Sequence, residues 1–347
     1  MFLEQIGADA RVRELFGPHR ADGTELGRVS FAVHEQYRVY CETGECEAAP
    51  TGRLRWDGAL PAVGDWVAAR RVDREFVWIE AVLPRRTQFS RRVAGRAVAE
   101  QVIAANIDVA AVVCGLDGDF NLRRLERYLV LAAASGAEPL VVLNKADLCA
   151  ELGQRVAAVT SLAPAAYLVV LSARETVEPL RPLVAGRTVA LLGSSGAGKS
   201  TIVNALVGAE RQATAEVRTA DSRGRHTTTS RMLIPLPGGG AIVDNPGMRE
   251  LQLWAAEDSL DEVFGEIAAL AAQCRFRDCT HAAEPGCAVR AALESGGLDP
   301  ARWPAYRKLE AELRHQRIEQ DVHAKAEQKK KWKALHKALR HHPKYLR

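Results

Sequence analysis

The sequence predicts an α/β protein in which a small β-barrel, a central doubly wound domain and a mainly helical domain follow one another. Short segments of alternating polarity fill residues 26–90, and apolar runs of strand length alternate with helical periods over residues 91–255. Residues 256–347 are mainly helical around a cluster of cysteines and a histidine. Residues 1–25 form an N-terminal extension.

The barrel prediction rests on the spacing of apolar residues. The run GRVSFAVHEQYRVYC alternates apolar and polar residues, and the segments RLRW, DWVAARRV and FVWIEAVL follow as further β-segments between turn signals. Several short strands within about 60 residues indicate a small barrel, and an oligonucleotide-binding (OB) barrel is one candidate.

The central domain is predicted from four continuous apolar runs, DVAAVVCGL, PLVVLNKADL, AYLVVLSA and RTVALLG. Such runs suit a mainly parallel sheet that is buried on both faces. The segment NLRRLERYLVLAAASG has one apolar helical face and ends at Gly136, and MLIPLPGGGAIVDNPG predicts a hairpin.

The composition is that of an ordinary globular protein. The chain has 347 residues, of which 47% are hydrophobic and 26% charged, which argues against wholesale disorder. No apolar run approaches the ~20 residues that span a bilayer, and the first residues lack the pattern of a signal peptide. The seven cysteines are odd in number and scattered, which argues against a disulfide framework. We therefore expect a cytoplasmic protein without a membrane partner.

The C-terminal tail carries most of the positive charge. Residues 320–347 contain nine Lys/Arg and two Asp/Glu, an excess of seven, whereas the whole chain has a net charge of +4. Such a run is either a solvated helix face or a tail that neutralises phosphates. The interleaved Trp332 and Tyr345 favour contact with RNA.

A phosphate loop is the strongest motif. The sequence GSSGAGKS matches G-x-x-x-x-G-K-[ST] between a strand and a helix, so that backbone N–H groups and the helix N-terminus face a phosphate. Lys199 can reach the β- and γ-phosphates, and the Ser200 hydroxyl can bind Mg²⁺. The predicted nucleotide-binding residues here are Gly193, Ser194, Ser195, Gly196, Ala197, Gly198, Lys199, Ser200 and Thr201.

Asn144-Lys145-Ala146-Asp147 resembles the guanine motif N-K-x-D. The Asp147 carboxylate can accept from N1–H and the 2-amino group of guanine, which adenine lacks, and an unpaired buried carboxylate costs about 1–3 kcal/mol. Lys145 would lay its stem against the ring, and Asn144 would tie this segment to the phosphate loop. The four residues also occur in ordinary turns, but Ser172 and Ala173, at the end of the next strand, resemble the motif that meets the guanine 6-oxo group.

The switch elements come last in the chain. Asp244-Asn245-Pro246-Gly247 resembles D-x-x-G, in which Asp244 would hold a Mg²⁺ water and the Gly247 amide would contact the γ-phosphate. We favour Thr228 as the Mg²⁺-binding switch residue, with Thr227 and Thr229 still open. Met248 stands where many GTPases have a glutamine that orients water. We therefore hypothesise that His226 activates water; the alternative is a surface histidine.

A four-residue cluster predicts a metal site. Cys274, Cys279, His281 and Cys287 follow the pattern C-x4-C-x-H-x5-C, whose thiolates and imidazole suit a closed, structural zinc site. Cys41 and Cys46 have no second pair and are interpreted as incidental.

These motifs together resemble the bacterial ribosome small-subunit-dependent GTPase A family, whose motifs are circularly permuted. Supporting stretches are PAVGDWV, LPRRTQFSR, EQVIAANID, GLDGDFNLRRLERYL, GRHTTTSRMLIPLPGG and CRFRDCTHAAEPGC. The resemblance implies an OB barrel, a P-loop GTPase domain with the guanine motif ahead of the phosphate loop, and a zinc domain with one Zn²⁺. It also implies GTP hydrolysis with Mg²⁺, stimulated by the small ribosomal subunit and its rRNA during late maturation. Asn245 departs from the usual Thr or Ser in D-x-P-G.

We expect a monomer that exchanges GTP and GDP. Two other functions stay open at this point. One is a GTP-gated RNA-binding module with little turnover, and the other is a phosphotransferase that acts on a small molecule.

Overall fold

The protein is described here by a computed structural model, which covers residues 2–21, 23–33, 35–92, 100–208, 231–244, 258–315 and 326. The chain divides into two compact units. The first comprises Met1–Ser90 and Val102–Leu251, and the second comprises Arg91–Gln101 and Gln252–Arg347. No helix in these ranges is long and apolar enough to cross a bilayer.

The first unit begins with two short helices and a five-stranded barrel. The helices are α1 (Phe2–Gln5) and α2 (Ala10–Phe16), and the strands are β1 (Thr24–Val33), β2 (Gln36–Cys41), β3 (Gly44–Pro50), β4 (Trp66–Arg71) and β5 (Phe76–Val82). The strand order is β1-β2-β3-β5-β4, and β4 pairs back onto β1. The β3–β5 pair is parallel and the other pairs are antiparallel. This arrangement confirms the predicted OB barrel.

The segment RLRW is not a strand. It lies in the helix α3 (Gly52–Trp56) between β3 and β4, and the strand prediction is therefore wrong here. Four residues are too few to separate the two-residue period of a strand from the 3.6-residue period of a helix. Leu54 is buried and Trp56 is 91% exposed, so these two residues lie on different faces, as in a helix, and not on the one face that they would share in a strand.

The strand pair β6 (Gln88–Arg92) and β7 (Glu100–Ala105) forms a separate sheet. The α/β core then follows as β8 (Val109–Gly115), α4 (Leu122–Ser135), β9 (Glu138–Asn144), α5 (Leu152–Leu162), β10 (Tyr167–Val170), α6 (Arg181–Val184), β11 (Thr188–Leu192), α7 (Lys199–Val207), β12 (Arg231–Pro235) and β13 (Ala241–Asp244). Its strand order is β10-β9-β8-β11-β13-β12, and all pairs are parallel except β12–β13. The predicted parallel sheet and hairpin are confirmed.

Helix α4 shows how local sequence sets an element. The Asn121 side chain accepts a hydrogen bond from the Arg124 amide and caps the first turn, and Gly136 ends the helix with a φ of 77°. One face of α4 is buried, including Leu125 and Leu129, as the spacing predicts.

The barrel and the core share one continuous sheet. Strand β12 pairs with β13 on one side and with β1 on the other, where Phe31 faces Met232. The Tyr40 hydroxyl adds a hydrogen bond of 3.4 Å to the Leu233 carbonyl. The barrel is therefore joined directly to β12, the neighbour of the strand that ends at Asp244.

Arg28 of β1 fixes this joint from inside. It is 1% exposed and donates to the carbonyls of Ile6, Gly64 and Asn106 and to the Thr188 hydroxyl. Burial lowers the pKa of Arg28 to about 10, so the guanidinium stays charged at neutral pH. One cation thus binds the extension, the barrel and the first residue of β11 together.

The N-terminal extension packs on both parts of the unit. Leu3, Ile6 and Phe16 are buried against barrel residues such as Leu83. The Gln5 carbonyl accepts a 2.6 Å hydrogen bond from the Gly240 amide, in the turn between β12 and β13.

The second unit is mainly helical. Its helices are α8 (Asp258–Val263), α9 (Gly265–Ala271), α10 (Ala288–Ser295) and α11 (residues 302–315). Phe264 is fully buried beneath α11, with its ring edge against Tyr306 at a centroid distance of 5.6 Å. Arg302 pairs with Glu266 at 2.6 Å and anchors α11 to α9.

Candidate nucleotide site and metal centre

The predicted nucleotide motifs meet at one edge of the parallel sheet. Asn144 ends β9, Ser172 follows β10, the phosphate loop follows β11, and Asp244 ends β13. The carboxyl ends of parallel strands lie at the same edge, which is where ligands bind in open α/β sheets. A cleft of about 510 Å³ lies elsewhere, lined by Arg86, Glu138 and Arg187 among others, and contains none of these motifs.

The phosphate loop has the backbone that its glycines allow. Gly193, Gly196 and Gly198 have φ angles of 141°, 79° and 98°, which disfavour other residues. Lys199 donates from Nζ to the carbonyls of Gly193 and Ser194 at 2.7 and 2.6 Å, so its ammonium lies over the loop. Helix α7 begins here, at Lys199, so that its N-terminus and the partial positive charge of that end lie at the same loop.

Asn144 connects the guanine motif to the phosphate loop. Its Nδ2 donates to the Ala197 carbonyl, and its Oδ1 accepts from the Ala173 amide, both at 2.9 Å. The residue is 2% exposed, so these bonds are shielded from water. One amide side chain therefore fixes three segments that come from different strands.

The rest of the guanine motif contacts the segment after β10 and exposes Asp147. The Asp147 amide donates to the Ser172 hydroxyl at 3.0 Å, and the Asp147 side chain is exposed. Lys145 has a φ of 64°, which is unusual for a residue with a side chain. The segment is thus held through its backbone while Asp147 stays available to a ligand.

Asp244 stands at the end of β13. Burial raises the pKa of its carboxyl above the ordinary value, and the nearby charge of Lys199 opposes this shift. A magnesium ion would favour the ionised carboxylate in the same way.

Several predicted residues lie outside the part of the chain that the structure describes. They are His226, Thr227, Thr228, Thr229, Asn245, Gly247, Met248 and almost all of the basic tail. Their predicted roles stay predictions.

The cysteine cluster is brought together as predicted. The ligand atoms of Cys274, Cys279, His281 and Cys287 all lie within 4.8 Å of one another. The sulfurs of Cys274 and Cys287 are 3.9 Å apart, and Nδ1 of His281 is 3.5 and 3.4 Å from them. A tetrahedral zinc site with Zn–S bonds of about 2.3 Å requires ligand separations of about 3.5–3.8 Å. The donor set and its spacing therefore fit a metal ion of this kind.

The backbone around the cluster supports it. Burial alone would raise the pKa of the Cys274 thiol, but amides of Ala288 and Val289 donate to its sulfur and bring its pKa below the ordinary value. Glu284 accepts hydrogen bonds from the Thr280 hydroxyl and from backbone amides that include Ala282, and these lower the pKa of Glu284 to about 2. The Glu284 carboxylate thus stabilises the loop that carries the metal ligands through hydrogen bonds within that loop.

Sequence reasoning missed two carboxylates at the nucleotide edge. Asp117 and Asp119 follow β8 directly, and their side chains contact Lys145 and Ser194. A signal was present, because residues just after a central parallel strand lie at the ligand edge. The two aspartates also lie in GLDGDFNLRRLERYL, a stretch that supports the family resemblance, but no role was predicted for them.

Comparison with known proteins gives a consistent result. A family model described as RsgA GTPase matches residues 82–254. A protein of Opitutus terrae named small ribosomal subunit biogenesis GTPase RsgA is 48% identical, over 98% of this chain and 97% of that protein. A Xylella fastidiosa protein of the same name is 55% identical, over 72% of this chain and 75% of that protein.

Two solved structures share the fold. The crystal structure of YjeQ from Thermotoga maritima superposes with a TM-score of 0.65 at 27% identity, over 84% of this chain and 98% of that one. YloQ, described as a circularly permuted GTPase, has a TM-score of 0.63 at 22% identity, over 86% of this chain and 98% of that one.

The strand order and the order of the motifs define a P-loop protein whose nucleotide-binding elements are circularly permuted. The chain belongs to the RsgA GTPase family. It is a GTPase, and the resemblance inferred from its motifs is confirmed.

Proposed function

We propose that this chain hydrolyses GTP in response to the small ribosomal subunit and acts in the maturation of that subunit. The observation that carries the proposal is the 48% identity, over almost the whole chain, to a protein named for small ribosomal subunit biogenesis. The phosphate loop joined to the guanine motif through Asn144 supports it independently.

The proposed nucleotide site assigns each residue a chemical role. Asp147 accepts from the guanine edge, and the Lys145 stem covers the ring. The Ala173 amide, which donates to Asn144 Oδ1, would release that bond to donate to the 6-oxo group. The loop from Gly193 to Thr201 surrounds the phosphates, with Lys199 on the β- and γ-phosphates. Asp244 and Gly247 complete the γ-phosphate side.

Magnesium would be held by the Ser200 and Thr228 hydroxyls, with Asp244 acting through a water. When bound, the ion neutralises charge that develops on the phosphates. His226 remains the proposed group that positions water. If stimulated turnover of His226→Ala equals that of the unchanged protein while GTP binding is retained, this role is wrong.

The cysteine cluster is proposed to hold one structural Zn²⁺. Four protein ligands leave no open position for a substrate. The supporting observation is the separation of the ligand atoms, none more than 4.8 Å apart.

Contact with rRNA is proposed for two exposed surfaces. On the barrel, Trp56 is 91% exposed on α3, next to the exposed arginines 53 and 55. In the second unit, Phe276 is 42% exposed between the exposed Arg275 and Arg277. Aromatic rings flanked by cations suit unpaired bases and phosphates.

The decisive experiment is phosphate release with GTP alone, with small subunits and with large subunits, at several salt concentrations. Strong stimulation by small subunits only, which weakens as salt rises, is expected. Tight binding without turnover would favour the GTP-gated RNA-binding module. Absence of both would contradict the proposal. Sedimentation of the free protein tests the expected monomer.

Base recognition is tested by Asp147→Asn. The amide cannot accept from both guanine donors, so GTP affinity should fall and xanthosine triphosphate should be preferred. Unchanged GTP affinity would remove Asp147 from the base site without affecting the proposed role of the phosphate loop.

A further inference from the structure

The loop that follows β8 lies between the two halves of the proposed nucleotide site. Strand β8 stays in register with β9 up to the pair Gly115 and Asn144, and the Leu116 amide donates to the Asn144 carbonyl at 2.8 Å. The next residue, Asp117, is therefore delivered beside the guanine motif by the sheet itself.

Asp117 holds the side chain of Lys145. Its Oδ2 is 2.5 Å from Lys145 Nζ, and its Oδ1 accepts from the Asp119 amide at 3.1 Å. The two side chains are 29% and 25% exposed, so water screens the pair only in part. Partial burial would raise the pKa of Asp117, but these hydrogen bonds keep its pKa below the ordinary value.

Asp119 holds the phosphate loop. It accepts a short hydrogen bond from the Ser194 hydroxyl. Arg124, in the first turn of α4, donates to both Asp119 oxygens at 2.9 and 3.0 Å, which fixes the carboxylate. The same loop therefore contacts the base side through Lys145 and the phosphate side through Ser194.

We propose that Asp117 and Asp119 are positioning residues for guanine nucleotide binding. Asp117 sets the direction of the Lys145 stem before the base arrives, and Asp119 sets the phosphate loop around Ser194. Less side-chain freedom is then lost when the nucleotide binds, which strengthens affinity without a new contact to the ligand. The inference rests on the proposed assignment of Lys145 and the phosphate loop.

A purely structural role makes a different prediction. Partly exposed ion pairs contribute little to folding, and their loss would leave nucleotide affinity unchanged. A positioning role instead couples each carboxylate to its partner, so that removing either member of a pair has the same effect as removing both.

The test is a double-mutant cycle on the full-length protein with Mg²⁺ and fluorescently labelled GDP and GTP. The variants are Asp117→Asn, Lys145→Met and their combination, and Asp119→Asn, Ser194→Ala and their combination. Asp117→Asn should weaken GDP and GTP equally, by about tenfold, mainly through faster release. It should add nothing in the Lys145→Met background.

The matched control is Glu138→Gln. Glu138 pairs with Arg187 at the amino end of β9, the strand that carries Asn144 at its other end. Its substitution should change nucleotide affinity by less than about twofold. Thermal unfolding of each nucleotide-free variant separates lost positioning from lost folding.

Affinity of Asp117→Asn within twofold of the unchanged protein, or effects that add in the double variant, would overturn the inference. Asp147→Asn is measured in parallel. If Asp147→Asn prefers xanthosine triphosphate, the assignment of the base site is supported even when Asp117→Asn leaves the affinity unchanged. If neither variant changes nucleotide binding, the assignment of the site itself is wrong.

Discussion

Gly198→Ala probes the junction between the phosphate loop and the guanine motif. A Cβ at this position would lie 2.1 Å from Asn144 Nδ2, the atom that donates to the Ala197 carbonyl. Gly198 also has a φ of 98°. Gly196→Ala is the matched control, since its φ is 79° but no atom lies within 4 Å of its Cβ. Both variants strain the backbone, but only one displaces Asn144.

The two effects differ in size. Left-handed backbone costs a residue with a side chain about 1–2 kcal/mol, which applies to both variants. Displacing Asn144 also breaks its buried bonds to Ala197 and Ala173, and each unsatisfied group costs about 1–3 kcal/mol. To the extent that the loop relaxes without nucleotide and is strained again on binding, Gly196→Ala should weaken nucleotide binding by up to about 5- to 30-fold, and Gly198→Ala should weaken it by at least about a hundredfold.

Equilibrium binding of labelled GDP to the full-length variants measures the difference. Thermal unfolding without nucleotide shows whether each variant is folded. Equal losses for both glycines, or a larger loss for Gly196→Ala, would refute the reasoning, because strain alone would then account for the effect.

Three further predictions concern Arg28, Glu284 and Trp56. Arg28→Met removes the Arg28 donor from the Ile6 and Asn106 carbonyls and from the Thr188 hydroxyl, whereas the Gly64 carbonyl keeps its bond from Asn106 Nδ2. Denaturant titration should show a loss of about 3–5 kcal/mol. Loss of the exposed Arg70–Glu80 pair in Arg70→Met should cost under about 1 kcal/mol, and similar losses for the two variants would contradict the central role of Arg28. Glu284→Gln removes the negative charge of the carboxylate that accepts hydrogen bonds from the Thr280 hydroxyl and the Ala282 amide. A chelator should therefore extract the metal several-fold faster from this variant. An unchanged rate of extraction would exclude the Glu284 carboxylate as a support of the loop. Trp56→Ala should weaken binding to the small subunit by about tenfold, while the dependence of the affinity on salt concentration stays unchanged. Arg53→Gln should instead make the affinity less dependent on salt. The reverse pattern would exclude Trp56 as a surface on which bases stack.

The fold was predictable where local pattern determines the element. Apolar runs, the capped helix α4 and the glycine-rich hairpin each follow from neighbouring residues. The pairing of β1 with β12 does not, because the two strands are far apart in sequence and periodicity carries no information about which edges meet. The role of Arg28 was hidden for the same reason, since its four acceptors come from four separate segments.

The candidate site was predictable where a short motif carries the chemistry. The phosphate loop, Asn144 and the four metal ligands are of this kind, and the sheet brings each set together. Asp117 and Asp119 lie in a stretch that supports the family resemblance, but the sequence assigns them no chemical role, and the register of β8 against β9 reveals what they contact. Geometry could place them, but composition and spacing could not.

The shared sheet gives the barrel a short physical path to the nucleotide. Met232 of β12 faces Phe31 of the barrel on one side and Asp244 on the other. Neighbouring strands are about 4.8 Å apart, so Phe31 and Asp244 are separated by about 10 Å of hydrogen-bonded backbone. The predicted switch residues around Thr228 directly precede β12 in the sequence. For a partner that binds the barrel, the shortest hydrogen-bonded path to Asp244 therefore runs from β1 through β12 to β13.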